Sequence, residues 1–226
     1  MTIKKLLAGV ALVSAGAGAH AITVLSEGFN NIATLPAAGW VQTNNSTAPL
    51  GNSWFQGNSG IFPASSGAAD SYIAANYLST GSAAGAVSNW LFTPVLSLDV
   101  TSELSFTVRN AGDGFIDRLE VRLSTSGSST NVGSTTTSVG DFSTLIGVYQ
   151  ASSASPWISL TYPLYSLTTP VNGRLAFRYV VGSVATAGNY LGVDDVLVTS
   201  AVPEPAAYML MALGVAGLLL RRRVAA

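Results

Sequence analysis

The chain has 226 residues, only 9% of them charged and 48% hydrophobic, with a formal net charge of −1. It has no cysteine, and its single histidine, His20, lies near the N-terminus. Between Ile22 and Pro203 there is no Cys, His or Lys, which excludes disulfides, thiolate or imidazole metal sites, Ser-His-Asp and Cys-His nucleophiles and lysine Schiff bases there.

The whole-chain charge hides an uneven distribution. Both lysines, Lys4 and Lys5, stand at one end, and Arg221, Arg222 and Arg223 at the other. Residues 22–203 carry ten acids against five arginines, about −5. An acidic domain repels a phosphate backbone, so nucleic acid is not an expected partner. Carboxylates, hydroxyls, tyrosines and arginines remain for chemistry, and among metals only those that take oxygen ligands, such as calcium.

In chain order, residues 1–21 come first. Lys4-Lys5, an apolar run from Leu6 to about Ala17, and Ala19-His20-Ala21 have the charged, apolar and small-x-small parts of a signal peptide, with cleavage expected after Ala21. From Ile22 to about Thr199, short apolar runs alternate with Gly, Ser, Thr and Asn stretches. Strands are expected at Ile22–Phe29, Trp54–Gln56, Tyr72–Tyr77, Asn89–Leu98, Glu103–Arg109, Arg118–Ser124, Leu145–Tyr149, Trp157–Tyr162, Arg174–Val181 and Tyr190–Thr199. Leu104-Ser105-Phe106-Thr107-Val108 and Leu175-Ala176-Phe177-Arg178-Tyr179 alternate with period two, the mark of a strand with one buried face. Residues 22–200 are therefore expected to form one antiparallel, jelly-roll-like β-sandwich. Ser124–Ser138 reads as a long strand connection, or a glycosylated loop, because strand signals resume beyond it.

Within the last predicted strand, apolar residues 191 and 193 share one parity, and 196 and 198 the other. The parity flips at Asp194-Asp195, which predicts a β-bulge that re-aims a carboxylate. Glu27, at the end of the first strand, and Asp70, which opens another, are further carboxylates with which calcium could be held. On the bland reading, Asp194 caps the bulge, Asp195 pairs with Arg178 or Arg118, and Glu27 is solvated. Trp54 and Trp157, beside glycine- or serine-rich loops, are candidates for stacking on a sugar ring, whereas Trp90 reads as packed. Asp113 and Asp117 flank Gly114-Phe115-Ile116 and could form a glycosidase pair, though aspartates around glycine usually form turns.

Four stretches carry a resemblance. Leu25-Ser26-Glu27-Gly28-Phe29, then Asp70-Ser71-Tyr72-Ile73-Ala74-Ala75-Asn76-Tyr77, then Ser88-Asn89-Trp90-Leu91-Phe92-Thr93-Pro94-Val95-Leu96, and last Tyr190-Leu191-Gly192-Val193-Asp194-Asp195-Val196 together resemble the choice-of-anchor J domain, related to cleaved-adhesin and MAM-like jelly rolls. The resemblance spans nearly all of residues 22–199. It implies a non-catalytic adhesion or surface module, and a calcium site built from the early Glu27, Asp70 and the Asp194/Asp195 pair.

Residues 201–226 close the chain. Val202-Pro203-Glu204-Pro205 precedes an apolar stretch, Ala206–Leu220, and then Arg221-Arg222-Arg223. Fifteen helical residues span about 22 Å, short of a ~30 Å hydrocarbon core but workable with arginine snorkelling. The arginines should remain cytoplasmic and the domain face outward. These three parts resemble the PEP-CTERM sorting signal. The resemblance implies a transient inner-membrane anchor, recognition by an exosortase, cleavage near Pro203–Pro205, and delivery to the cell surface or the extracellular space of an exopolysaccharide- and biofilm-forming bacterium. The expected role is a surface or matrix protein that binds carbohydrate or another protein. A carboxylate glycoside hydrolase and a ligand-free structural matrix protein are the alternatives.

Overall fold

The computed structural model describes residues 21–51, 53–153 and 155–201. The predicted signal peptide before Ala21 and the predicted sorting helix and arginine cluster lie outside the described residues. Residues Ile22–Ser200 form one compact unit.

Twelve strands are present among the described residues: β1 (Ala21–Glu27), β2 (Val41–Asn44), β3 (Phe55–Gln56), β4 (Ile73–Asn76), β5 (Val87–Phe92), β6 (Leu96–Leu98), β7 (Glu103–Asn110), β8 (Asp113–Ser124), β9 (Thr144–Ser153), β10 (Ile158–Pro163), β11 (Val171–Val181) and β12 (Tyr190–Ala201). The first sheet runs β10-β7-β12-β4-β3, with β1 also paired to β12. The second runs β2-β5-β11-β8-β9, with β6 also paired to β11. The two sheets make the all-β sandwich that the period-two runs predict. The predicted strand Asn89–Leu98 divides into β5 and β6. Pro94 lies in the gap and has no N–H to give a ladder. β2 escaped prediction because Val41-Gln42-Thr43-Asn44 is short and mostly polar.

The main core lies between the sheets. Leu104, Phe106 and Val108 from β7 and Leu191, Val193, Val196 and Val198 from β12 meet Leu119, Val121 and Leu123 from β8 and Leu175, Phe177 and Tyr179 from β11. Phe106 and Phe177 touch edge to face across the gap, 5.0 Å between ring centres. Such a pair adds about 0.5–1.5 kcal/mol beyond its buried area.

Both outer faces are also covered. On the second sheet, Trp90, Phe92 and Ala176 pack against Val132 and Phe142, which belong to the long connection after β8. Three arginines converge on one acid there: Glu120 takes Arg122 at 2.7 Å, Arg178 at 3.1 Å and Arg118 at 3.1 Å. Burial works to raise the pKa of Glu120, but the arginines outweigh it and hold the carboxyl below its ordinary value. Arg178 also donates to the Thr136 carbonyl at 2.5 Å, tying the connection down. It lies over the Trp90 ring, 4.9 Å from its centre. On the first sheet, Phe62 from the segment 57–71 packs with Tyr72 and Tyr190 in a second aromatic cluster.

Candidate functional site

The predicted parity break is present as a bulge. β12 pairs Asp194 with Thr107 and then Leu197 with Ser105, one extra residue on the β12 side. Asp195 takes the left-handed conformation, φ 50°, that this geometry requires. Leu191, Val193, Val196 and Val198 thereby all reach the main core.

The bulge sends the two aspartates to different places. Asp194 is fully buried. Its Oδ2 accepts N–H bonds from Ser65 at 3.0 Å and Ser66 at 3.2 Å, and its Oδ1 accepts from Asp195 N at 2.7 Å. Asp195 is half-buried and accepts a 2.5 Å bond from the Ser66 hydroxyl. Neither pairs with Arg178 or Arg118, because both arginines are spent on Glu120 in the other sheet.

Glu27 caps its own turn, with Oε1 accepting from Phe29 N at 2.7 Å. It shares a concavity of about 240 Å³ with Ser26, Gly28, Asp195, Val196 and Leu197. Asp70 is exposed, and its backbone carbonyl rather than its carboxylate enters the local network. Gln56, which sequence reasoning overlooked, organises that network. Its amide nitrogen lies 2.8 Å from the Phe29 carbonyl, 2.6 Å from that of Asp70 and 3.4 Å from that of Tyr72. Its oxygen accepts from Ile32 N at 3.0 Å. A side-chain amide thus sits among carbonyls that could otherwise face a cation.

The four predicted carboxylates therefore do not gather on one point. Among the described residues, no three Asp, Glu or His side chains converge as a metal-binding group. What is brought together is Glu27 with Asp195, and Asp195 with the Ser66 hydroxyl. These are hard oxygen donors of the kind calcium accepts, with carbonyls and water needed to reach six to eight.

The proposed stacking residues differ in burial. Trp54 is only 3% exposed and belongs to the main core. Trp157 is half-buried, donates to the Pro63 carbonyl at 2.9 Å, and sets its ring edgewise against Phe62 and Tyr72. Burial withdraws Trp54 from a sugar-stacking role, and Trp157 is engaged by the segment 57–71 through Pro63 and Phe62. Asp117, half of the alternative glycosidase pair, is fully buried and accepts from the Tyr179 hydroxyl at 2.6 Å, out of reach of a substrate.

Comparison with known proteins adds two findings. A family description of the PEP-CTERM protein-sorting motif matches residues 201–223. The chain carries a PEP-CTERM sorting motif. The fold is that of cleaved adhesin domains of Lys-gingipain from Porphyromonas gingivalis W83. The K3 domain aligns at 20% identity with a TM-score of 0.54, over 80% of this chain and 99% of that one. The K1 domain aligns at 18% identity with a TM-score of 0.52, over 78% and 97%. No curated protein matches the chain.

Burial, the largest influence on Asp194, raises its pKa. The nearby Asp195 charge adds to this, and together they outweigh the three amide donors, so the carboxyl is pushed up to about 6 from an ordinary 3.8. The folded state thus binds this proton more readily than the unfolded chain. Asp194 contributes its full stability below about pH 4, and that contribution is lost as pH rises through about 6. Urea unfolding of the protein and its Asp194→Asn variant between about pH 4 and pH 7 checks this. The wild-type advantage over the variant should shrink with rising pH, by up to about 3 kcal/mol. A pH-independent difference would contradict the assignment.

Proposed function

We propose that this chain is an exported, non-catalytic binding module of the bacterial surface or extracellular matrix, released to its destination by exosortase processing at Val202-Pro203-Glu204-Pro205. The observation that carries this reading is the pairing of a PEP-CTERM sorting motif with a sandwich folded like cleaved adhesin domains. In this reading the charged N-terminal segment and Ala19-His20-Ala21 direct export, the apolar tail holds the chain briefly in the inner membrane, and Arg221, Arg222 and Arg223 stop it there. The domain takes its place among choice-of-anchor J modules, in a bacterium whose exopolysaccharide and biofilm matrix it joins. The sealed position of Asp117 weighs against the glycosidase alternative.

Calcium is proposed as a stiffening ion. Glu27 and Asp195 would supply its carboxylates, with the Ser66 hydroxyl, backbone carbonyls and water completing the shell. Such an ion would neutralise the exposed side of the bulge and fasten β1 to β12.

Two measurements check these proposals. Replacing Pro203, Glu204 and Pro205 together by alanine should leave the protein in the membrane fraction with its C-terminal segment uncut. An unchanged mass and distribution would refute exosortase processing at this site. For the ion, melting of the purified protein in EDTA should rise on adding calcium, by about 5–10 °C at a hundredfold excess over Kd. The rise should vanish in Glu27→Ala and in Asp195→Ala. An unmoved wild-type midpoint removes calcium and leaves the aspartates as bulge chemistry alone.

A further inference from the structure

A second cleft, of about 330 Å³, shares no lining residue with the bulge. It is lined by Tyr77 from the turn after β4, Phe115 from the start of β8, and Val184, Gly188 and Asn189 from the β11–β12 connection. Tyr77 is 41% exposed and Phe115 43%, so both residues remain accessible to solvent at the cleft. Tyrosine, with an apolar ring and a polar tip, is a residue type enriched at interfaces. The volume is at the lower end of the ~300–1,000 Å³ typical of small-molecule sites.

The polar wall of this cleft is rigidly built. Asn189 is fixed through its backbone from two sides: its carbonyl accepts from Tyr77 N at 3.1 Å, and its N–H donates to Asp117 Oδ1 at 2.9 Å. Its side-chain amide donates to Asp113 Oδ2. Asp113 Oδ1 in turn accepts from Phe115 N at 3.1 Å, which fixes the turn that carries the ring. Gly188 donates its N–H to the Ile116 carbonyl at 2.9 Å. It has φ +78°, and a Cβ there would lie 2.6 Å from Val181 and 3.0 Å from the Tyr179 hydroxyl, so only glycine brings this connection so close. Asp117 is fully buried, and its second oxygen has no partner. Burying a carboxylate there is costly. Its bonds are to the Tyr179 hydroxyl and to the backbone of Asn189, so the buried charge serves to position the cleft's polar residue.

We propose that this cleft binds one neutral sugar residue of a glycan, its C–H face against the rings of Tyr77 and Phe115 and its hydroxyls on Asn189, Asp113 and the Tyr77 hydroxyl. The proposal rests on the surface-binding reading and names where that binding occurs. The chemistry selects this class. An anionic ligand would meet the Asp113 carboxylate in a domain already about −5. An acyl chain would desolvate the Asp113 carboxylate and the Tyr77 hydroxyl and offer them no hydrogen bond in return. A cation would find both Asp113 oxygens already accepting N–H bonds. Sugar hydroxyls can both donate to the lone pairs that remain on those oxygens and on Asn189 Oδ1, and accept from the Tyr77 hydroxyl.

The test uses the full chain in a detergent without a sugar headgroup, titrated calorimetrically with neutral tetrasaccharides of gluco, galacto, manno and xylo configuration and with a lysine-rich peptide. At least one tetrasaccharide should bind at millimolar concentration or below. Tyr77→Ala and Phe115→Ala should each weaken it at least tenfold without lowering the melting point, because both rings are partly open. Tyr77→Phe should keep the stacking and lose only part of the affinity. Binding of the peptide alone, or of no tetrasaccharide, overturns the proposal. A sugar bound equally well by both alanine variants overturns this site while leaving the surface-binding reading in place, which the sorting-motif variant tests separately.

Discussion

A single buried carboxylate in the middle of β12 sets the geometry of this domain. β12 is paired to β7 on one side and to β4 and β1 as well, so most of the first sheet is organised around it. The extra residue beside Asp194 reverses the strand's parity half-way along. Without it, either Leu191 and Val193 or Val196 and Val198 would leave the core. The cost of the bulge is a ladder left incomplete, and Asp194 compensates by accepting three backbone N–H bonds. Two of them come from Ser65 and Ser66, so the same carboxylate that stabilises the bulge also pins the covering segment 57–71 to the outer face of the sheet.

That covering supplies packing in a chain that has no cysteine to form disulfides. The sandwich does not rely on one core. Each sheet has a second apolar layer on its outer face, one under the segment 57–71 and one under the connection after β8. A polar tie secures each layer: Asp194 for the first, and Arg178, held by Glu120, for the second. A buried charge group of this kind is weak evidence for net stability, since desolvation offsets its attraction. Its effect is positional, because breaking any member would leave the others buried and unpaired. The same layering buries Trp54 and half-buries Trp157, while Tyr77 and Phe115, at a turn and a strand start, stay exposed beside one cleft.

The sandwich and the bulge were legible in the sequence for one reason: both are written in strand parity. Leu104, Phe106 and Val108 mark a buried face, and the change of parity between Val193 and Val196 marks the extra residue. The site was less legible. Ligand sets depend on which backbone amides reach a carboxylate, and no pattern of side chains foretells that Ser65 and Ser66 would claim Asp194. Asp70 looked like a ligand because it opens a strand, yet Gln56 draws in its carbonyl and leaves its carboxylate in solvent. The glycine- and serine-rich neighbours of Trp54 point to an exposed ring, but tertiary packing draws that ring into the main core. The aromatic cleft gave no signal, since Tyr77, Phe115 and Asn189 meet only through the sheet topology.

The most direct test of this account is amide hydrogen exchange at Ser65 and Ser66, in the wild-type protein and in Asp194→Asn. If Asp194 ties the covering segment to the bulge, both amides exchange slowly in the wild type and quickly in the variant. The Gly60 amide, held by Asn58 Oδ1 at 2.9 Å within the same segment, should change much less. Free exchange of Ser65 and Ser66 in the wild-type protein, or protection that survives the substitution, would contradict the account.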